Sequence, residues 1–256
     1  MARRRRAGDR TDRGASQARA RRPRPAQAGG RVNVVGIDTS TPGSAACVVR
    51  ADGEAFEVEP APERLGAGPG HARELMPAIA QCMDRAGLAW RELEAVAVGV
   101  GPGPFTGLRI GVTTARALGS AHDLELRPVS SLAALAAGSD GSSPILATID
   151  ARRGEVFAAL YEDGGATVWE PFVAAPDAVA ERVRDEGLAP LGVGDGSVRF
   201  RDVLEEAGVE VAPDDARAHV VRGLSVCRLA ATTAPTPVEA VLPDYLRLPD
   251  AKPRTQ

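Results

Sequence analysis

Residues 101–111 read Gly-Pro-Gly-Pro-Phe-Thr-Gly-Leu-Arg-Ile-Gly, between the apolar run Val96 to Val100 and a helical pattern. Proline fixes φ and glycine permits positive φ, so a stretch containing Gly101 and Gly103 specifies a rigid turn of defined shape. Thr106 is placed to cap the helix that follows. A strand, a tight turn and bare backbone N–H groups at a helix start form a cradle for an anion. The same residues also suit a tight turn without a ligand. No Gly-Lys-Ser/Thr follows, so this is not a Walker A loop, and Thr106 breaks the Gly-x-Gly-x-x-Gly pattern. A second constellation lies upstream. Val34-Val35-Gly36-Ile37 leads into Asp38-Thr39-Ser40-Thr41, then Pro42-Gly43 and the apolar Ala45 to Val49. This spells a buried strand, a hydroxyl-rich turn and a returning strand, which together make a β-hairpin. Asp and Ser/Thr side chains satisfy such turns on their own as well.

The hairpin resembles the first hairpin of the actin-like and sugar-kinase group. There the Asp at the strand end holds a metal and the Ser/Thr/Gly turn meets phosphate, and Asp38, Thr39 and Ser40 match that placement. Both motifs at this separation resemble the TsaB (YeaZ) family. Its members carry an early Ile-Asp-Thr-Ser and a Gly-Pro-Gly-Ser-Phe-Thr-Gly-Leu-Arg-Ile-Gly, and Pro104 stands here where Ser is usual. The resemblance continues through Val129 to Leu132, Ile149 to Val156, Gly192 to Gly196 and Pro243 to Arg247, and so spans residues 32 to 248.

The resemblance implies an α/β, actin-like (ASKHA, ribonuclease H-like) two-lobed fold with mixed sheets and flanking helices. It also implies a role as a cytoplasmic, non-catalytic partner that binds and activates a TsaD-like transferase. That enzyme threonylcarbamoylates N6 of adenosine 37 in tRNA, within a machine that includes a TsaE-like ATPase. The chain would form a homodimer when alone and meet tRNA only through the complex. No cofactor and no metal are expected.

The catalytic relative carries a Val-x-His-x-x-x-His segment whose histidines bind metal. Here the matching stretch, Val129 to Leu135, places Ser131 and Leu135 at those positions. Leucine cannot ligate, and a neutral hydroxyl is a poor substitute for imidazole. The three histidines, His71, His122 and His219, show no paired ligand spacing. His71 precedes an apolar helix as a cap or interface residue, and His219 is expected on a helix surface. The runner-up function is an ATP-dependent phosphotransferase or nucleotide hydrolase of the same fold. In such an enzyme Asp38 and a pseudo-equivalent Asp150 would face the nucleotide. Asp150 sits in Asp-Ala-Arg-Arg-Gly, where pairing with Arg152 or Arg153 is the ordinary reading. No Gly-x-Ser-x-Gly elbow supports a peptidase.

Composition sets outer bounds. The chain has 256 residues and a net charge of −3, with no apolar run near the roughly 20 residues a membrane span needs. Cys47, Cys82 and Cys227 lie far apart in apolar segments, so no disulfide framework or zinc site is suggested. Residues 1–31 hold 11 Arg and 2 Asp, for +9, which leaves −12 on the remainder. The segment contains no Val, Leu, Ile or aromatic residue and cannot build a core. It reads as an idle disordered tail or a mis-assigned start, or as an RNA-binding arm.

The elements that would hold these motifs follow from periodicity. After the hairpin, Glu54 to Val58 adds a strand and residues 59–70 a Pro/Gly-rich loop. His71 to Ala86 is helical, with Leu75, Ile79, Cys82 or Met83, and Ala86 on one face, and Pro77 acceptable only in the first turn or as a kink. Residues 95–100 form a buried strand and 106–119 a helix. Residues 130–138 are short and apolar. Pro144 to Ile149 and Glu155 to Tyr161 pair around a turn and repeat the first hairpin. Helices are expected over Pro176 to Arg184, Ser197 to Glu206 and His219 to Ala231, with a strand and loop over 191–196. The resulting lobes are 32–129 and 130–248, the second closed by a helix packing back, with a tail over 249–256. Gly107, Gly111, Ala115 and Gly119 fall on one helix face. That stripe packs on its own sheet, or it lets another backbone approach. The family resemblance favours the second reading and places His71, Leu75, Ile79, Gly107, Gly111 and Ala115 at a partner interface.

Overall fold

The computed structural model describes residues 32–60, 63, 70–139, 144–162 and 165–247. The Arg-rich segment 1–31, most of the 59–70 loop and the tail from 248 lie outside the described residues.

A strand covered on both faces reads as a continuous apolar run. Val34–Asp38 obeys this and forms β1, buried at all five residues. It pairs antiparallel with β2 (Ala45–Val49), which pairs antiparallel with β3 (Ala55–Val58). On its other side β1 runs parallel to β4 (Ala95–Gly101), and β4 to β5 (Glu125–Ser130). The order is β3-β2-β1-β4-β5. A second sheet contains β6 (Ile145–Arg152), β7 (Glu155–Tyr161), β8 (Thr167–Ala174), β9 (Leu191–Val193) and β10 (Glu210–Val211). Its order is β10-β9-β6-β7-β8, with β6 antiparallel to β7 and parallel to β9. Strand for strand this repeats the first sheet. The repeat expected for one hairpin therefore extends over five strands. Strands β5, β8 and β10 have no counterpart among the sequence expectations.

Helix α1 (His71–Ala86) buries Leu75, Ala78, Ile79, Cys82, Met83 and Ala86 and stops at Gly87, φ 65°. Left-handed φ at the residue after a helix is where glycine is favoured. The helix continues through Pro77, which lies on the exposed side, where the carbonyl it leaves unbonded can reach water. Helix α2 is Phe105–His122. Together α1 and α2 cover the outer face of the first sheet. Helices α4 (Pro176–Asp185), α5 (Asp195–Arg199) and α6 (Arg201–Glu205) serve the second sheet, and the helix expected over Ser197 to Glu206 is broken at Phe200. Helices α3 (Ser131–Ala136) and α7 (Gly223–Ala230) lie between the sheets in one core with Cys47, Ala97, Ile149 and Phe157. Helix α7 packs on β1 and β2, and it begins four residues later than its sequence pattern suggests.

The three cysteines are free and buried. Among the described residues no helix is long and apolar enough to cross a membrane.

Candidate functional site

The carboxylate of Asp38, at the end of β1, is 1% exposed. Its Oδ1 accepts from the Ser40 amide at 2.7 Å and the Ser40 hydroxyl at 2.6 Å. Its Oδ2 accepts from the Ser131 hydroxyl at 2.6 Å. Ser131 Oγ in turn accepts from the Gly101 amide at 3.2 Å. Burial raises the Asp38 pKa, opposed by the bonds from Ser131 and Ser40. Ser131 stands where the resemblance places a metal ligand in the catalytic relative, and here its hydroxyl is spent on Asp38. Leu135, at the other such position, is fully buried in the core between the sheets.

The glycine turn packs directly on the hairpin turn. A Cβ on Gly103 would stand 2.7 Å from Ser40 O, and one on Gly99 would stand 1.7 Å from Asp38 Oδ2. Gly101 has φ 116°, in the region that glycine alone enters at no steric cost, and it precedes a cis peptide to Pro102. The Thr39 hydroxyl donates to Gly107 O at 2.7 Å. Asp38, Thr39, Ser40, Gly101 and Gly103 therefore meet, and the donors and acceptors named above are largely satisfied within the chain. The buried Thr41 hydroxyl differs: it has no hydrogen-bond partner among the described residues. Thr106 does not join them. Helix α2 begins at Phe105 with Pro104 at its cap, and Thr106 is exposed on the outer side of the helix rather than capping it.

The six residues expected at a partner interface face inward instead. Leu75, Ile79 and Ala115 are at most 1% exposed, in the core under α1 and α2. A Cβ on Gly107 would meet Thr39 O at 2.2 Å, and one on Gly111 would meet Thr39 Oγ1 at 2.4 Å. The small residues thus admit the chain's own hairpin turn. His71 is buried, with Nδ1 2.9 Å from the Ser44 hydroxyl. The outward faces of α1 and α2 carry other residues. Met76 is 45% and Phe105 41% exposed, two of the four large apolar side chains so exposed among the described residues. Phe105, Thr106, Arg109, Ile110, Thr113 and Thr114 line an open groove there.

The second sheet holds a counterpart of the Asp38 cluster. Asp150 Oδ2 lies 3.0 Å from Arg152 and 2.7 Å from Arg199, which bears out the arginine pairing and adds a second partner. Arg152 and Arg153, at the hairpin tip, both adopt positive φ. The Asp150 amide donates to Asp195 Oδ1 at 3.0 Å. His219 is not on a helix surface: it is fully buried, with Nδ1 3.1 Å from the Gly194 amide and Nε2 3.0 Å from Ala212 O. Sequence reasoning missed Asp195 and Arg199 because both follow β9 and reach Asp150 only through parallel pairing of β6 and β9.

Burial pushes the Asp195 pKa up to about 6, with Asp150's charge adding to the rise and the amide bonds opposing it. The native state holds this proton more tightly than the unfolded chain. The associated stability is complete below the ordinary carboxylate pKa of 3.8 and is lost as pH rises through about 6. Asp195→Asn keeps an acceptor for the Asp150 amide and removes the titration. We expect its melting temperature relative to the wild type to climb between pH 4 and pH 7, by the equivalent of about 1–3 kcal/mol. A pH-independent difference would contradict this assignment.

The duplicated sheets with helices on both sides define an α/β protein of the actin-like class. Residues 62–192 match the family described as TsaD: tRNA N6-adenosine threonylcarbamoyltransferase. The tRNA threonylcarbamoyladenosine biosynthesis protein TsaB of Escherichia coli (strain K12) is 30% identical over 186 residues, covering 69% of this chain and 80% of that protein. An uncharacterized protein of Mycobacterium leprae (strain TN) is 36% identical over 235 residues, 87% of this chain but 56% of that relative's length. The crystal structure of a Pseudomonas aeruginosa protein with similarity to peptidase YEAZ superposes with a TM-score of 0.71 at 28% identity, over 84% of this chain and 100% of that one. The chain belongs to the TsaB (YeaZ) family.

Proposed function

We propose that this chain takes part in tRNA threonylcarbamoyladenosine biosynthesis as a non-catalytic partner. It binds a TsaD-type transferase and holds it in active form, in an assembly that includes a TsaE-type ATPase. The observation that carries the reading is the closed Asp38 cluster. Ser131 occupies the carboxylate where a metal-ligating side chain would be needed, and the glycine turn lies on the hairpin turn.

The partner face we assign is the outer surface of α1 and α2, with Met76 and Phe105 as anchors. The TsaD family match includes this segment of the chain, so a TsaD-type subunit brings a similar helix pair, and two like faces can meet about a two-fold axis. The isolated chain would use the same face for a homodimer. Phe105→Glu combined with Met76→Glu should weaken capture of the TsaD-type subunit of the same organism at least tenfold, because exposed apolar anchors dominate such contacts. The variant should still fold, since Met76 and Phe105 are 45% and 41% exposed and Phe105 gives up only its surface contacts with Tyr245 and Arg109. Unchanged capture by a folded double variant would refute the assignment.

Thr41 favours a second reading. Its buried hydroxyl, unpaired among the described residues, lies in the turn that meets phosphate in the actin-like and sugar-kinase group. Saturable ATP binding or turnover that is abolished by Thr41→Val would favour a nucleotide-using protein of the same fold.

A further inference from the structure

We infer that the C-terminal segment Asp244–Arg247 is a strap, anchored on the second sheet, that positions the first turn of α2 for its partner. This rests on the partner face assigned above.

Four successive residues each make a different contact along a path from one sheet to the other. The Asp244 amide donates to Val100 O at 2.7 Å, at the end of β4. The Asp244 carbonyl passes so close to Gly101 that a Cβ there would stand 3.0 Å from it. Tyr245 stacks on Phe105 with ring centroids 5.2 Å apart, and its hydroxyl accepts from Arg109 Nε at 3.1 Å. Arg109 also lies over the Phe105 ring, 3.7 Å from its centroid. Leu246, partly buried, packs against the core between the sheets. Arg247 donates to Ala151 O at 3.2 Å and pairs with Glu155 at 2.9 Å, on the β6–β7 hairpin of the second sheet.

Phe105 is the first residue of α2 and is 41% exposed. An exposed aromatic at a helix start retains rotamer freedom, which binding would have to remove. Tyr245 and Arg109 hold it from two sides, and Tyr245 can do so only while its segment stays put. The segment stays put because Leu246 packs against the core between the sheets and Arg247 is held on the β6–β7 hairpin. The strap thus restricts a partner-facing side chain before the partner arrives, and restriction of this kind raises affinity without adding a contact.

The test uses the full chain with the TsaD-type subunit of the same organism. Arg247→Ala and Glu155→Gln each cut the anchor from opposite ends, far from the outer face of α2. Tyr245→Ala removes the positioning ring. Calorimetric affinity, amide exchange over residues 101–109 and thermal melting are measured on all three. Each variant should bind the subunit about tenfold more weakly and exchange faster over 101–109, with little change in melting. Tyr245→Phe, which keeps the stack, should fall between these and the wild type. If both anchor variants are folded and leave affinity and exchange unchanged, the strap inference is overturned, even where Phe105→Glu still abolishes binding. If Phe105→Glu leaves binding intact, the partner-face assignment fails. The strap then stands or falls on whether the anchor variants loosen residues 101–109.

Discussion

Gly107→Ala should lower the stability of the monomer by about 2–4 kcal/mol, a fall of roughly 5–15 °C in melting temperature for a chain of this size. Intrinsic propensity points the other way, since alanine inside a helix is favoured over glycine by about 1 kcal/mol. Geometry decides against it. The added Cβ would stand 2.2 Å from Thr39 O, a main-chain atom that cannot rotate aside. Gly111→Ala gives an informative contrast. Its clash is with Thr39 Oγ1 at 2.4 Å, while the rest of that side chain is 3.7 Å or more away. In a Thr39→Ala background the obstructing oxygen is gone, so Gly111→Ala should be tolerated. The double-mutant cycle should show a coupling of about 1 kcal/mol or more. The same background should not rescue Gly107→Ala. A Gly107→Ala protein that melts at or above the wild-type temperature, yet loses the self-association proposed for the isolated chain, would show that the stripe faces another chain.

Asp38→Ala should cost about 3–5 kcal/mol. Three donors, the Ser40 amide and the Ser40 and Ser131 hydroxyls, would lose their acceptor at a site that is 1% exposed. Asp38→Asn should cost much less, because it keeps one acceptor oxygen and the volume, and because the buried charge is itself unfavourable, as the raised pKa indicates. Thermal melting of the two variants at neutral pH makes the comparison. Equal, small losses for both would mean that the carboxylate does not hold the two turns together. Loss of a nucleotide-dependent turnover with no loss of stability would transfer Asp38 from a structural role to a catalytic one.

Much of this protein was legible without coordinates. The first hairpin, α1 and β4 follow from local pattern alone. Continuous apolar runs mark strands covered on both faces, a three-and-four spacing marks α1, and a glycine closes it. The two turns that meet were also legible as special, because Asp, Ser, Thr, Gly and Pro in dense clusters restrict backbone conformation by type. Short-range chemistry needs only short-range information. Strand β10, two residues long and built by pairing with β9, carries too little pattern of its own to be read.

Tertiary structure decided which way faces point. Gly107, Gly111, Ala115, Leu75 and Ile79 share helical faces by periodicity, and periodicity states only that a face is small or apolar. Whether it meets its own sheet or a partner depends on what the rest of the chain places opposite. Opposite Gly107 and Gly111 that is Thr39, some 70 residues away in sequence, and opposite Leu75, Ile79 and Ala115 it is the apolar core of the first sheet. The same holds for Asp195 and Arg199, brought to Asp150 by the pairing of β6 with β9, and for His219, drawn into the interior by Gly194 and Ala212. It holds again for Tyr245, whose meeting with Phe105 and Arg109 joins the 244–247 segment to the motif that its sequence announces most clearly. Contacts between distant segments are set by the packing of whole elements, which no local pattern encodes.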